Sequence, residues 1–304
     1  PFTTTFSNAF FFFSTDGTFV GTSQASAKYS TDGGLTWIDA TGYQDVKGDF
    51  YNAWGFNTAD NVVLTSGYRT APNRQTGKVN YSNDYGRTYK VIFDVETASI
   101  LSTEARARCH IHSTMYDKYA KRVWMVLGDY YVPTENMTGK ILYCDNPDAT
   151  TPVWNVMTSG ADYYAEQPVT IYPLEDCVLF GSDATQSGIY RMAREVGDLR
   201  TDQAVFLHAQ LAYYGCGGWQ QSKDLPMAIY MGRASEYVAG DVADKVFLTY
   251  DGVNYSTIVS DNPAYAGAGG KVDSFPFALR NHFVLDKRGD NRFVSKNTWL
   301  VGTY

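Results

Sequence analysis

Apolar positions in this chain come in short runs, and clusters of Gly, Asp, Asn and Ser break them. The best candidate for a membrane segment, Ala9–Phe13, is only as long as a strand. No stretch shows the three- and four-residue spacing of a long amphipathic helix, and none reads as a linker or low-complexity tail. The pattern predicts an all-β chain of short strands joined by tight turns.

One kind of turn recurs. Ser30-Thr31-Asp32-Gly33-Gly34-Leu35-Thr36-Trp37 and Ser82-Asn83-Asp84-Tyr85-Gly86-Arg87-Thr88-Tyr89 both fit S-x-D-x-G-x-T-[WY], with their Asp residues 52 positions apart. Thr249-Tyr250-Asp251-Gly252, followed by Tyr255, is a weaker copy. Cys144-Asp145-Asn146-Pro147 before Trp154 is a decayed one. The physical logic is that of a hairpin: the carboxylate accepts backbone N–H bonds, Gly supplies unusual backbone angles, and the aromatic tucks underneath.

These segments resemble the Asp-box, or bacterial neuraminidase repeat, of sialidase-like β-propellers. The resemblance implies four-stranded blades, with the box on the outer hairpin, away from the ligand face and structural in role. Read at that period, blade one runs through Asn8–Phe13, Thr18–Ser23, Ala27–Ser30 and Thr36–Ala40. Blade two uses Tyr51–Phe56, Asn61–Gly67, Lys78–Ser82 and Thr88–Val95. Blade three uses His110–Tyr116, Arg122–Gly128, Lys140–Cys144 and Val153–Met157. Blade four uses Gln167–Tyr172, Cys177–Gly181, Gly188–Met192 and Ala204–His208. Blade five uses Tyr213–Gln221, Met227–Arg233, Lys245–Thr249 and Tyr255–Val259. The tail offers Lys271–Ala278, His282–Leu285 and Thr298–Gly302, and Phe2–Phe6 is the strand expected to complete that blade and close the ring. The expectation is one propeller domain over residues 1–304, with six blades; five with an appended hairpin is the alternative.

Composition sharpens this picture. The 24 Tyr, 17 Phe and 27 Gly suit strands and turns. With 32 acidic against 25 basic residues the net charge is −7, which argues against nucleic acid. Cys109, Cys144, Cys177 and Cys216 are too widely spaced for a metal or redox motif and read as buried thiols. No phosphate loop, EF-hand or nucleophile motif appears, so no cofactor and no metal is expected.

The densest candidate chemistry is Glu104-Ala105-Arg106-Ala107-Arg108-Cys109-His110-Ile111-His112. In an extended chain Arg106, Arg108, His110 and His112 share one side, a row suited to an acidic sugar. A His there could also act as acid or base. The segment runs on to Tyr116-Asp117, Trp124 and Gly128-Asp129, a pattern similar to an HxH…YD…W…GD blade in uncharacterised Asp-box proteins of phages and bacteria. Sugar-stacking and hydroxyl-binding candidates at strand starts and loops are Tyr51, Trp54, Arg69, Asp129, Glu166, Gln167, Tyr214 and Asp273.

No Arg precedes Asp32, which speaks against the sialidase reaction, since sialidases carry an Arg-Ile-Pro motif ahead of their first box. The residue types favour an extracellular or virion-associated glycan-binding propeller, of the kind found in phage receptor-binding proteins. It is expected to act without membrane insertion, as a homo-oligomer or attached to a larger assembly. The alternatives are a polysaccharide-degrading enzyme and a purely structural virion or surface protein. As an enzyme it would be a glycoside hydrolase or a lyase in which His110 or His112 works with a tyrosine such as Tyr213 or Tyr68.

Overall fold

Turn chemistry decides where the strands of this chain stop, and the described strands fall into six antiparallel sheets. The computed structural model describes residues 10–13, 16–23, 25–46, 50–51, 57–59, 61–68, 77–128, 140–157, 168–182, 189–193, 204–205, 211–215, 228–234, 245–249, 251–260, 277–279, 282–288 and 297–303. Two compact units are distinguished, Pro1–Ala161 and Asp162–Tyr304.

In the first unit, sheet 1 orders β1 (Phe10–Phe13), β2 (Phe19–Thr22), β3 (Ala27–Ser30) and β4 (Ile38–Asp39) side by side. Sheet 2 holds β5 (Phe50–Tyr51), β6 (Asn57–Ala59), β7 (Val62–Tyr68), β8 (Lys78–Ser82) and β9 (Lys90–Asp94), with β5 and β6 both pairing with β7. A short helix, α1 (Thr103–Arg108), leads into sheet 3, formed by β10 (His110–Asp117), β11 (Arg122–Gly128), β12 (Lys140–Cys144) and β13 (Asn155–Val156). Sheets 2 and 3 share one core, in which Leu64, Val79, Phe93, Ile111, Met125 and Leu142 are all buried. Each such side chain contributes about 1.5–3 kcal/mol relative to exposure.

In the second unit, sheet 4 holds β14 (Pro168–Pro173), β15 (Cys177–Ser182), β16 (Ile189–Ala193) and β17 (Ala204–Val205). Sheet 5 holds β18 (Leu211–Gly215), β19 (Ala228–Ala234), β20 (Lys245–Thr249) and β21 (Ser256–Ser260). Sheet 6 holds β22 (Phe277–Leu279), β23 (His282–Arg288) and β24 (Asn297–Thr303). The strand Phe2–Phe6, expected to join this last sheet, lies outside the described residues.

The repeated turns lie between the last two strands of sheets 1, 2 and 5, and they are built alike. Asp32 accepts from Ser30 Oγ (2.7 Å), Thr36 N (2.9 Å) and Thr36 Oγ1 (2.5 Å), while Gly34 N donates to Ser30 Oγ. Trp37 folds under the turn and donates from Nε1 to Gly34 O at 3.1 Å. Asp84 repeats the pattern with Ser82, Arg87 N and Thr88. In the weak copy, Asn254 takes the place of Thr, giving N and Nδ2 bonds to Asp251 at 2.8 and 2.6 Å. In the decayed copy, Asn146 Oδ1 still accepts from Val153 N at 2.9 Å.

These bonds favour the ionised carboxylates. The Thr36 hydroxyl and N–H, with Ser30, hold Asp32 down at about 2. The N–H groups of Asn254 and Val253 do the same for Asp251, also to about 2. For Asp84, burial pushes upward, but the bonds from Thr88, Ser82 and Arg87 prevail and lower it.

The turns of sheets 2, 3 and 5 also lean on the sheet before them. A Cβ on Gly86 would lie 2.9 Å from both Cγ atoms of Val20 in sheet 1, and one on Gly252 would lie 2.6 Å from Leu179 Cδ2 in sheet 4. Arg87 reaches Asp16 and Thr18 in sheet 1, each at 3.1 Å. Asp148, in the turn of sheet 3, accepts from Tyr81 Oη and Asn83 Nδ2 of sheet 2. Gly86 and Gly252 therefore serve twice, for their positive φ and for their missing side chains.

Candidate functional site

The expected row of four cationic and imidazole groups does not form, because its first half is helical. Ser102 caps α1, its Oγ accepting from Ala105 N at 3.1 Å, with Glu104 in the first turn and Arg106 and Arg108 in the last. Arg108 pairs with Glu104 one turn back, Nε to Oε1 at 3.3 Å, and both are well exposed, a pair of small energetic weight. Arg106 donates to Glu96 O and Thr103 Oγ1. Cys109 then turns the chain into β10 with φ −83° and ψ 157°. Alternation in Glu104–Arg108 is therefore helical spacing, and the extended-row reading of Arg106 and Arg108 is corrected. The signals that mark the helix are the Ser102 cap and the Glu104/Arg108 pair at i,i+4.

The second half of the row does converge. His110 and His112 have ring centroids 4.7 Å apart with a 46° tilt. His110 is 0% exposed and His112 is 3% exposed. The register explains their contact. His110 lies opposite Gly128 and Ile111 opposite Leu127, but Ser113 lies opposite Val126, so a β-bulge falls at His112. The bulge carries the His112 ring over Gly128, where an added Cβ would lie 1.7 Å from Cε1.

At the far end of the same hairpin, Trp124 Nε1 donates to Asp117 Oδ2 at 3.1 Å, and Asp117 Oδ1 accepts from Tyr119 N and Ala120 N. The HxH…YD…W…G spacing thus has a physical meaning. Asp117 and Trp124 clamp the turn, while Gly128 makes room for an imidazole at the opposite end.

Lys140 was missing from the sequence-derived candidates. It starts β12 opposite Leu127, is 7% exposed, and its charge acts on the Cys109 thiol. Burial dominates there and pushes Cys109 up to about 12, which leaves it a poor nucleophile. The available sequence signal was a cation heading an otherwise apolar strand, Lys140–Cys144.

Other candidates lie in described strands. Tyr51 lies in β5 opposite Gly67, and Tyr213 and Tyr214 lie in β18 of the second unit, opposite Gly232 and Met231. Trp54, Arg69, Asp129, Glu166, Gln167 and Asp273 lie outside the described residues. Among the described residues no three His, Cys, Asp or Glu side chains gather as metal ligands would.

No family model and no curated protein matches the sequence. Solved structures do match its fold. The Trypanosoma rangeli sialidase in complex with sialic acid aligns with a TM-score of 0.52 and 9% identity, over 96% of this chain and 52% of that one. An ancestral GH74 enzyme aligns with a TM-score of 0.51 and 13% identity, over 94% of this chain and 42% of that one. The chain thus spans about half the length of the first and less of the second. Both are β-propellers, and it is the propeller fold that this chain shares with them.

Proposed function

We propose that this chain is a glycan-recognising β-propeller acting outside cells or on a virion. In this reading the six sheets are the blades of one ring over residues 1–304, the repeated turns are Asp-boxes, and the N-terminal segment completes the last blade. The observation that carries the reading is the imidazole pair: two His rings packed in contact at the start of β10, on a fold also used by carbohydrate-active enzymes. His112, which keeps a trace of exposure, is the group that meets the sugar, and His110 backs it. A neutral imidazole offers one donor and one acceptor, a match for a sugar hydroxyl. An acidic glycan is favoured because Lys140, in register with Ile111 through Leu127, puts a buried cation in the same sheet of a chain of net charge −7.

Binding is preferred to elimination because His110 has no exposed surface and the two Arg residues leave the His row. The test is a panel of acidic polysaccharides, scored for retention, for unsaturated uronate absorbance and for new reducing ends. Retention without product supports the proposal. Product of either kind would replace it with the enzymatic reading, and neither retention nor product would overturn both.

A further inference from the structure

We infer that Gly128 is a positioning residue, whose missing side chain is the seat that holds the His112 imidazole against His110. Glycine is a poor strand former, and Gly128 closes a strand, Arg122–Gly128, that is otherwise β-branched, aromatic or long and apolar after its first residue. A side chain there would have no space. Its Cβ would lie 1.7 Å from Cε1, 2.1 Å from Nε2 and 2.2 Å from Nδ1 of His112, which is inside the ring itself.

The comparison with other glycines is informative. A Cβ on Gly77 would meet Ile111 Cδ1 at 3.3 Å, a squeeze that a small shift relieves, and one on Gly33 would meet nothing within 4 Å. At Gly128 the whole ring must leave. Because His112 is only 3% exposed and touches His110 at 4.7 Å between centroids, leaving means breaking the pair. The β-bulge at His112 and the glycine opposite His110 are therefore two halves of one device. A regular register would set His112 opposite Val126. The bulge advances Ser113 to that place and frees the His112 ring to turn back over Gly128.

The device fixes which imidazole edge a ligand can meet, and this last step rests on the glycan reading above. The test keeps the two apart. The chain has four His, so its imidazole signals can be assigned by single His→Gln changes and ring-to-ring contacts followed by NMR. The native protein should show a direct ring contact between His110 and His112, and Gly128→Ala should abolish it and lower Tm. Adding His112→Ala to Gly128→Ala should recover most of the lost Tm, because the collision partner is gone.

A ring contact that survives Gly128→Ala would overturn the inference. So would Tm losses that simply add, or a double variant that fails to fold along with the single one. In a separate arm, affinity for any glycan the native chain retains should fall about tenfold or more in Gly128→Ala, as in His112→Ala. If the native chain retains no glycan, the functional reading fails while the NMR and double-variant results still decide the role of Gly128.

Discussion

Replacing Gly86 by Ala separates the two tasks of a turn glycine. Gly86 has φ 79°, where a side chain costs about 1–2 kcal/mol. The new Cβ would also sit 2.9 Å from Cγ1 and Cγ2 of Val20 and 3.0 Å from Tyr89 Oη. Val20 is fully buried in β2, so it has little room to yield, and overpacking of this kind costs about 1–3 kcal/mol more. Gly33 in the first turn is the control. Its φ is 74°, but an added Cβ meets nothing within 4 Å, so only the backbone cost of about 1–2 kcal/mol applies.

Thermal unfolding followed by circular dichroism should therefore place Gly86→Ala well below Gly33→Ala, by roughly 2–4 °C for each kcal/mol of difference. Val20→Ala should recover part of the loss in the Gly86→Ala background, since it clears the space the new Cβ needs. Equal Tm losses at Gly86 and Gly33 would refute the claim that the second turn is seated on sheet 1.

Three further predictions follow from the same chemistry. Asp32 and Asp251 are held at about 2 against an ordinary 3.8, so their contribution is present above pH 4 and is lost as pH falls from about 4 to 2; Asp32→Asn should flatten the Tm profile in that window, and an unchanged profile would count against it. Cys109 is fully buried and pushed up to about 12, so iodoacetamide at mildly alkaline pH should label it only after unfolding, as peptide mass spectrometry will show. Asp148→Ala strips the partner from Tyr81 Oη and Asn83 Nδ2 and should cost about 1–3 kcal/mol in denaturant unfolding.

Much of the fold was legible because its signals are local. A turn such as Ser30–Trp37 carries its own acceptors, donors and glycines, and it fixes where the flanking strands end. Ala27–Ser30, Lys78–Ser82, Arg122–Gly128, Lys140–Cys144 and Lys245–Thr249 all begin and end where the pattern predicts. Glu104–Arg108 misled because alternation over five residues also satisfies one turn of helix, and the Ser102 cap decides between the two.

The site was less legible because contacts across strands depend on register. Nothing near Gly128 in the sequence shows that a ring from β10 fills its side-chain space, and nothing near Lys140 shows that it is buried. The bulge at His112 has the same character, since it exists only in the pairing of β10 with β11.

Imidazole NMR during titration with a retained acidic glycan reads directly whether His112 meets the sugar. The His112 ring signals should move and saturate along the binding curve. Binding that saturates while the His112 signals stay still would contradict that contact.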